Sequence, residues 1–71
     1  MTPKQKRERI KFILSKLTDD NRRVFMRMYS HRDITRNINE VVDTMPSKQL
    51  KWALQQVENT YYRIFRIIKN S

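Results

Sequence analysis

The 71-residue chain contains no glycine, no cysteine and only two prolines. Without glycine, few residues suit the positive φ angles of tight β-hairpins, and residues that favour helices predominate, so the composition predicts an all-α fold. Without cysteine, neither a disulfide nor a thiolate metal site can stabilise the fold. We expect residues 1–71 to form one small domain with a thin core, because a chain of this length buries only about 60% of its unfolded surface.

Residue patterns typical of catalysis and metal binding are also missing. The one histidine, His31, lies in a predicted connection, and no serine has an evident base partner. No glycine-rich loop can cradle a phosphate, and no cluster of ligands has the spacing of a metal site. The adjacent carboxylates Asp19 and Asp20 are better explained by the start of a helix than by acid–base chemistry. We therefore expect a protein that is not an enzyme and that uses no cofactor or metal.

Long apolar segments are absent as well. The basic N-terminal segment lacks the apolar core of a secretory signal, and no stretch is apolar enough to span a bilayer. The segment YYRIFRIIKNS near the C-terminus is amphipathic and basic, as membrane-surface anchors are, but membrane binding is its weaker interpretation. These absences predict a cytoplasmic protein.

Positive charge is the most prominent feature of the composition. Sixteen lysines and arginines oppose seven acidic residues, which gives a net charge of +9 at pH 7. Most of this excess lies in residues 1–37. Such a charge attracts polyanions, but by itself it does not choose among nucleic acid, anionic lipid and an acidic protein, and it also keeps a protein soluble.

Capping signals and apolar spacing predict two helices in the first half of the chain. Thr2 and Gln5 have the spacing of a capping box around Pro3, and Thr18 precedes a second helix. The residues of the second helix that we expect to face the core are Val24, Phe25 and Met28.

Two more helices are predicted in the second half. Asp33 or Thr35 is the expected N-cap of a short third helix, and Ile34 belongs to the apolar pattern of that helix. Pro46 is expected to end the third helix, and Ser47 to cap the last one. The last helix extends from Lys48 to Lys69, about 33 Å if unbroken. Its apolar stripe comprises Leu50, Ala53, Leu54, Val57, Tyr61, Ile64 and Ile68.

The outer face of the last helix carries side chains suited to DNA. Glutamine and asparagine can read base edges, and lysine and arginine reach guanine or phosphate. The start of a capped helix is also the end that usually enters a major groove. The residues there are Lys48, Gln49, Lys51, Trp52 and Gln55. Trp52 is large for this position, so we expect it to pack under the first helix; otherwise it is an exposed contact or a dimer anchor.

Two segments, LTDDNRRVFMRMYS and INEVVDTMPSKQLKWALQQV, together resemble the fourth conserved region of bacterial sigma factors and related helix-turn-helix regulators. The matching residues are Leu17, Arg23, Val24, Phe25, Tyr29, Ile38, Glu40, Val41, Val42, Ser47, Leu50, Lys51 and Leu54. The chain departs from the family in its turn, which lacks glycine and is one residue longer, and at Asn39, where the family has a small residue.

This resemblance implies a four-helix domain with a helix-turn-helix-like centre, DNA binding and a role in transcription regulation. It assigns base reading to Lys48, Gln49, Lys51 and Trp52. It assigns phosphate contacts to Arg22, Arg23, Arg36 and the basic first helix, where Lys6 and Arg9 are the candidates. RNA stays open as an alternative to DNA.

Two further interpretations concern protein partners. The composition resembles that of small bacteriophage accessory proteins, many of which bind and redirect a host protein, so an acidic host protein is the alternative partner. Its anchors would be Trp52, Phe12, Tyr62 or Arg66, because Trp, Tyr and Arg dominate binding hot spots. The C-terminal helix could also extend beyond the core of one chain, and a second copy of the chain would then cover it in a homodimer. The interface residues would be Tyr61, Ile64, Phe65 and Ile68.

Overall fold

The computed structural model describes residues 1–31, 33 and 35–70, the last five by their backbone alone. The described residues form four α-helices and no strand, as the composition predicted. The helices are α1 (Pro3–Lys16), α2 (Asp19–Tyr29), α3 (Ile38–Thr44) and α4 (Ser47–Asn70). The most extensive packing is that of α1 against α4, and α3 contacts both α1 and α2.

The first two helices begin where their capping signals predicted. The Thr2 hydroxyl accepts a hydrogen bond from the backbone N–H of Gln5 at 3.2 Å, and the Gln5 side chain accepts one from the N–H of Thr2 at 2.9 Å. The Thr18 hydroxyl accepts one from the N–H of Asn21. Each cap satisfies donors that lack a partner within the helix.

The third helix begins later than predicted. Its N-cap is Asn37, whose side chain accepts hydrogen bonds from the N–H groups of Asn39 and Glu40. Asp33 and Thr35 instead form a turn before it, in which the Asp33 carboxylate accepts from both the N–H and the hydroxyl of Thr35, at 3.1 and 2.5 Å. An aspartate that bonds its own loop in this way offers the backbone an alternative to helix. Ile34, predicted to belong to the apolar pattern of this helix, lies outside the described residues.

The connection between α3 and α4 consists of Met45 and Pro46, and it needs no glycine. Met45 has an extended backbone with φ −69°. The carbonyl oxygen of Pro46 accepts hydrogen bonds from the N–H groups of Gln49 and Leu50, at 2.9 and 3.2 Å. Ser47 is therefore the first helical residue and not the predicted cap.

The core collects apolar side chains from all four helices and their ends. Its buried members are Ile10, Ile13, Leu14, Leu17, Phe25, Met26, Val41, Val42, Met45, Leu50, Ala53 and Val57. The prediction for α4 is confirmed, since Leu50, Ala53 and Val57 are at most 3% exposed. The half-buried Leu54, Tyr61 and Ile64 pack against this core, whereas the side chain of Ile68 lies outside the described residues.

The core face of α2 differs from the one predicted. Val24 and Met28 are 49% and 56% exposed, whereas Met26 is 5% exposed. The observed face comprises Phe25, Met26 and the half-buried Tyr29, which lie one residue further along the chain than the predicted triplet. Both triplets have the same helical spacing, so periodicity does not distinguish them; packing of α2 against its neighbours does.

Basic side chains bond the ends of helices to neighbouring elements. Arg22 donates to the carbonyl oxygens of Leu14 and Leu17, at 3.1 and 2.9 Å, where α1 ends. Arg7 donates to the carbonyl oxygens of Asp43 and Met45, at 3.4 and 2.8 Å, where α3 ends. Cations at these positions satisfy carbonyl groups that lack a partner within the helix and complement the helix dipole.

Candidate nucleic-acid interface

The first half of α4 presents a polar and basic face to solvent. Leu50, Ala53 and Val57 turn inward, so residues on the other side of the helix are left uncovered. The exposed side chains there are those predicted to read DNA: Lys48, Gln49, Lys51, Trp52 and Gln55. Lys48, Lys51, Trp52 and Gln55 have the spacing of one helical face, and Gln49 lies at its edge; we call the surface formed by these five exposed residues the α4 face.

Trp52 lies on this face and not beneath α1, where the sequence predicted it. Its side chain is 64% exposed. The helix α1 covers a different side of α4, where Arg9 forms an ion pair with Glu58 at 3.3 Å. The ammonium group of Lys51 lies 5.9 Å from the centre of the indole ring, within the range of a cation–π contact. Trp52 is thus a surface residue in a basic environment.

A groove of about 440 Å³ lies beside Trp52, between α2 and α4. Its lining residues are Met28, Tyr29, Trp52, Gln55, Gln56 and Asn59. The Tyr29 hydroxyl donates to the side-chain carbonyl oxygen of Gln56 at 3.1 Å, and the Gln56 amide donates to the Met28 sulfur at 3.0 Å. Burial raises the pKa of Tyr29 above its usual value, so its hydroxyl keeps the proton that it donates. We call this feature the Trp52 groove.

Sequence reasoning missed the Trp52 groove because it assigned Met28 to the core and Trp52 to a contact with α1. Both residues are exposed and face the same groove. The signal that was available is the apolar segment VFM followed by MY, which carries more large side chains than one helical face can bury.

The three arginines predicted to hold phosphates lie around one cleft of about 510 Å³ between α2 and α3. Arg22 is bonded to α1 and paired with Asp19. Arg36 pairs with Glu40 at 3.8 Å and donates to Thr44 at 3.4 Å. Arg23 is exposed and has no ion-pair or hydrogen-bond partner among the described residues. The structure thus brings these cations together, but leaves Arg23 as the most accessible of the three.

The predicted phosphate contacts on α1 are partly buried. Lys6 and Arg9 are both of intermediate exposure. Arg9 pairs with Glu58, and its guanidinium lies 5.6 Å from the centre of the Phe12 ring. Lys16 approaches the same ring at 5.7 Å. Phe12 is therefore exposed between two cations on α1, and the pairing with Glu58 offsets the positive charge that Arg9 presents to a phosphate.

Three of the four residues predicted to form a dimer interface line an apolar cavity of about 200 Å³ where α1 ends, and the side chain of the fourth, Ile68, lies outside the described residues. Tyr61, Ile64 and Phe65 line the cavity together with Lys16 and Leu17. The rings of Tyr61 and Phe65 are stacked with centroids 5.7 Å apart, and Phe65 is 54% exposed. These three side chains therefore share one surface.

Metal-binding clusters and membrane-spanning helices are not found in the described part of the chain. Its residues contain no group of three His, Cys, Asp or Glu side chains placed to hold a metal ion. No described helix is both long and apolar enough to cross a membrane.

No protein-family model, curated protein or solved structure matches this chain. The likeness to sigma factors and helix-turn-helix regulators therefore stays a prediction from the sequence. The features of the molecule that bear most directly on function are the α4 face and the Trp52 groove.

Proposed function

We propose that this protein is a non-catalytic, helix-turn-helix-type DNA-binding protein of the cytoplasm that acts in transcription regulation. The observation that supports this most directly is the α4 face, where Lys48, Gln49, Lys51, Trp52 and Gln55 are all exposed over an apolar stripe that is buried. Lysine supplies phosphate contacts, and lysine and glutamine supply base-edge hydrogen bonds, in known DNA-binding helices.

The charge distribution on α4 favours a polyanion as partner. Glu58 is the one acidic residue between Ser47 and Asn70 in the sequence. Its carboxylate is paired with Arg9 from α1. Lys48 and Lys51 consequently meet no carboxylate among the described residues. Each phosphate that such a surface neutralises releases counterions, which makes binding strongly dependent on salt.

A charge-reversal experiment tests this proposal. Fluorescence anisotropy of a labelled DNA duplex at low salt should show binding that weakens as salt is raised. Lys48→Glu should weaken the affinity about tenfold or more, since it removes a contact and adds repulsion.

The matched control is Arg27→Glu, which reverses an exposed cation on α2 that belongs to neither the α4 face nor the Trp52 groove. If the two variants weaken binding equally, the effect is one of net charge and the α4 face is not the interface. If the wild-type chain does not bind duplex at low salt, the proposal is wrong.

The exposed aromatic residues favour a second candidate function, which is binding to an acidic surface of a host protein. Trp52, Tyr62 and Phe12 are 64%, 57% and 45% exposed, and such residues commonly anchor protein interfaces. Affinity capture from a nuclease-treated bacterial lysate tests it. A partner that survives nuclease and is lost with Trp52→Ala supports this candidate, and loss of every partner on nuclease treatment contradicts it.

We also propose that the chain forms a homodimer through Tyr61, Ile64 and Phe65. These residues line one apolar cavity at the point where α1 ends, whereas α4 continues to Asn70. Because α1 does not extend along the rest of α4, Phe65 is left more than half exposed, and this exposure supports the proposal. A second copy would cover that ring and place two α4 faces on one assembly.

A further inference from the structure

We infer that the Trp52 groove holds an unpaired nucleobase, so that the DNA preferred by this protein contains a single-stranded segment. This inference rests on the proposed DNA-binding function and specifies the class of DNA. Three features of the groove carry it: an exposed tryptophan, two amide side chains beside it, and cations with no competing carboxylate.

The indole of Trp52 is better suited to stacking than to reading base edges. Its one polar group is a single N–H donor, whereas recognition of a base pair in the major groove uses two hydrogen bonds from one side chain. Trp52 is 64% exposed, so its side chain is accessible to a base. A base inside a continuous duplex already stacks on its neighbours and does not present its face, whereas an unpaired base does.

The amide groups of the groove fall into two sets. Gln56 is held by Tyr29 and by the Met28 sulfur, so it forms part of a fixed wall. Gln55 and Asn59 also line the groove and are exposed, and neither side chain has a hydrogen-bond partner among the described residues. An amide offers both a donor and an acceptor, which suits the Watson–Crick edge of a base that has lost its pairing partner.

The charges around the groove suit the backbone of such a strand. Lys51 lies 5.9 Å from the indole ring centre, where its ammonium group can meet the phosphate of a nucleotide stacked on the ring. Lys48 is exposed one helical turn before Trp52. A cationic groove with an aromatic platform is the combination by which single-stranded nucleic acids are bound. An acidic peptide would satisfy the lysines, but its carboxylate side chains offer no flat ring to stack on the indole of Trp52.

Trp52 is the one tryptophan of the chain, so its fluorescence reports on the groove directly. The full chain is titrated with a short single-stranded DNA of mixed sequence, with the same strand paired to its complement, and with the same strand made abasic. The intact single strand should quench the emission of Trp52 and bind about fivefold or more tightly than either of the others, since one stacked base is worth about that factor.

Variants separate stacking from charge, with binding then followed by anisotropy of labelled DNA. Trp52→Ala should abolish the preference for the single strand, and Trp52→Tyr should retain part of it. Because the side chain is exposed, neither change should unfold the protein. Lys48→Glu should weaken binding to single-stranded and duplex DNA alike while leaving the preference intact.

Each other outcome has a distinct meaning. Equal affinity for single strand and duplex, with no special effect of Trp52→Ala, overturns this inference and leaves the proposed DNA binding in place. Absence of binding to all three DNAs overturns both. Quenching of Trp52 by polyglutamate at concentrations comparable to those of the single strand overturns the inference in favour of an acidic protein partner.

Discussion

The guanidinium of Arg7 donates a hydrogen bond to the carbonyl oxygen of Met45 at 2.8 Å, and so joins α1 to the residue at which α3 ends. Arg7 belongs to the basic N-terminal segment that the sequence suggested as a contact for an external anion. Its charge is instead directed at the protein's own backbone. Arg22 does the same for the end of α1, so part of the net charge of +9 is carried by side chains that bond the protein's own backbone.

Arg7→Met should therefore reduce stability. The change removes a charged donor and leaves the Met45 carbonyl oxygen without it, which we expect to lower the free energy of unfolding by about 1.5–3 kcal/mol. Urea denaturation followed by circular dichroism measures it. Lys4→Met is the matched control, because Lys4 is an exposed cation on the same helix, and its effect should stay within about 0.5 kcal/mol. Equal denaturation midpoints for the two variants would show that the Arg7 bonds contribute nothing to stability.

The observed core face of α2 makes a second prediction. Met26→Ala should destabilise the fold by about 2–5 kcal/mol because it empties a buried site. Val24→Ala should cost less than about 1 kcal/mol, since Val24 is 49% exposed. Thermal or urea unfolding of the two variants distinguishes this face from the one that the sequence predicted. A larger loss from Val24→Ala would mean that α2 is rotated in solution so that Val24, and not Met26, faces the core.

The features of the fold that sequence reasoning predicted correctly are those with a local cause. Thr2 and Thr18 cap helices through bonds within a few residues of themselves. The apolar stripe of α4 is long enough for its period to identify one buried face. The residues on the other side of the helix are then predicted to be exposed. The exposed positions of Lys48 and Gln55 were therefore predictable, because they follow from the burial of Leu50 and Val57.

Two of the features that were predicted wrongly, the core face of α2 and the position of Trp52, depend on contacts between elements. In α2, two apolar triplets have the same spacing and share Phe25, and only the packing of neighbouring helices selects Met26 and Tyr29 over Val24 and Met28. Trp52 was assigned to α1 on the assumption that a large apolar ring must be buried, yet α1 meets α4 on another side. The hydrogen bond from Arg7 to Met45 joins residues far apart in the chain, so no local sequence pattern predicts it.

The turn before α3 provides a prediction about pH. The hydrogen bond from the Thr35 hydroxyl, followed by that from the Thr35 N–H, lowers the pKa of the Asp33 carboxyl below its ordinary value of 3.8. A depressed pKa in the folded state means that ionised Asp33 favours the fold above pH 3.8, and that this contribution is lost as the pH falls through the folded-state pKa. NMR titration of the Asp33 side chain should show its midpoint below 3.8.

Thr35→Val tests the larger of the two causes of the lowered Asp33 pKa, which is the hydrogen bond from the Thr35 hydroxyl. It removes the hydroxyl but keeps the backbone N–H, so the pKa of Asp33 should rise toward 3.8 without reaching it. An unchanged midpoint in this variant would show that the hydroxyl does not bond the carboxylate in solution.

The ion pair between Arg9 and Glu58 leads to a prediction about DNA affinity. Both side chains are about a third exposed, so Glu58→Gln should change the free energy of unfolding by less than about 1 kcal/mol. If Arg9 contacts phosphate, releasing it should strengthen DNA binding and steepen the log–log salt dependence by up to about 0.9. Anisotropy titrations at several salt concentrations measure both quantities.

Asp20→Asn is the control for Glu58→Gln, because it raises the net charge equally at an exposed residue on α2. An affinity gain of the same size in both variants would attribute the effect to net charge and remove Arg9 from the proposed interface.

The proposed dimer is tested by its most exposed aromatic residue. Phe65→Glu places a charge on the apolar surface that Phe65 shares with Tyr61 and Ile64, and desolvating that charge between two copies is costly. Sedimentation equilibrium should therefore show a dimer for the wild-type chain and a folded monomer for Phe65→Glu. Trp52→Glu, which adds the same charge at an exposed aromatic residue of the α4 face, should remain dimeric. A wild-type chain that sediments as a monomer at high concentration would show that the exposed ring of Phe65 needs no second copy to cover it.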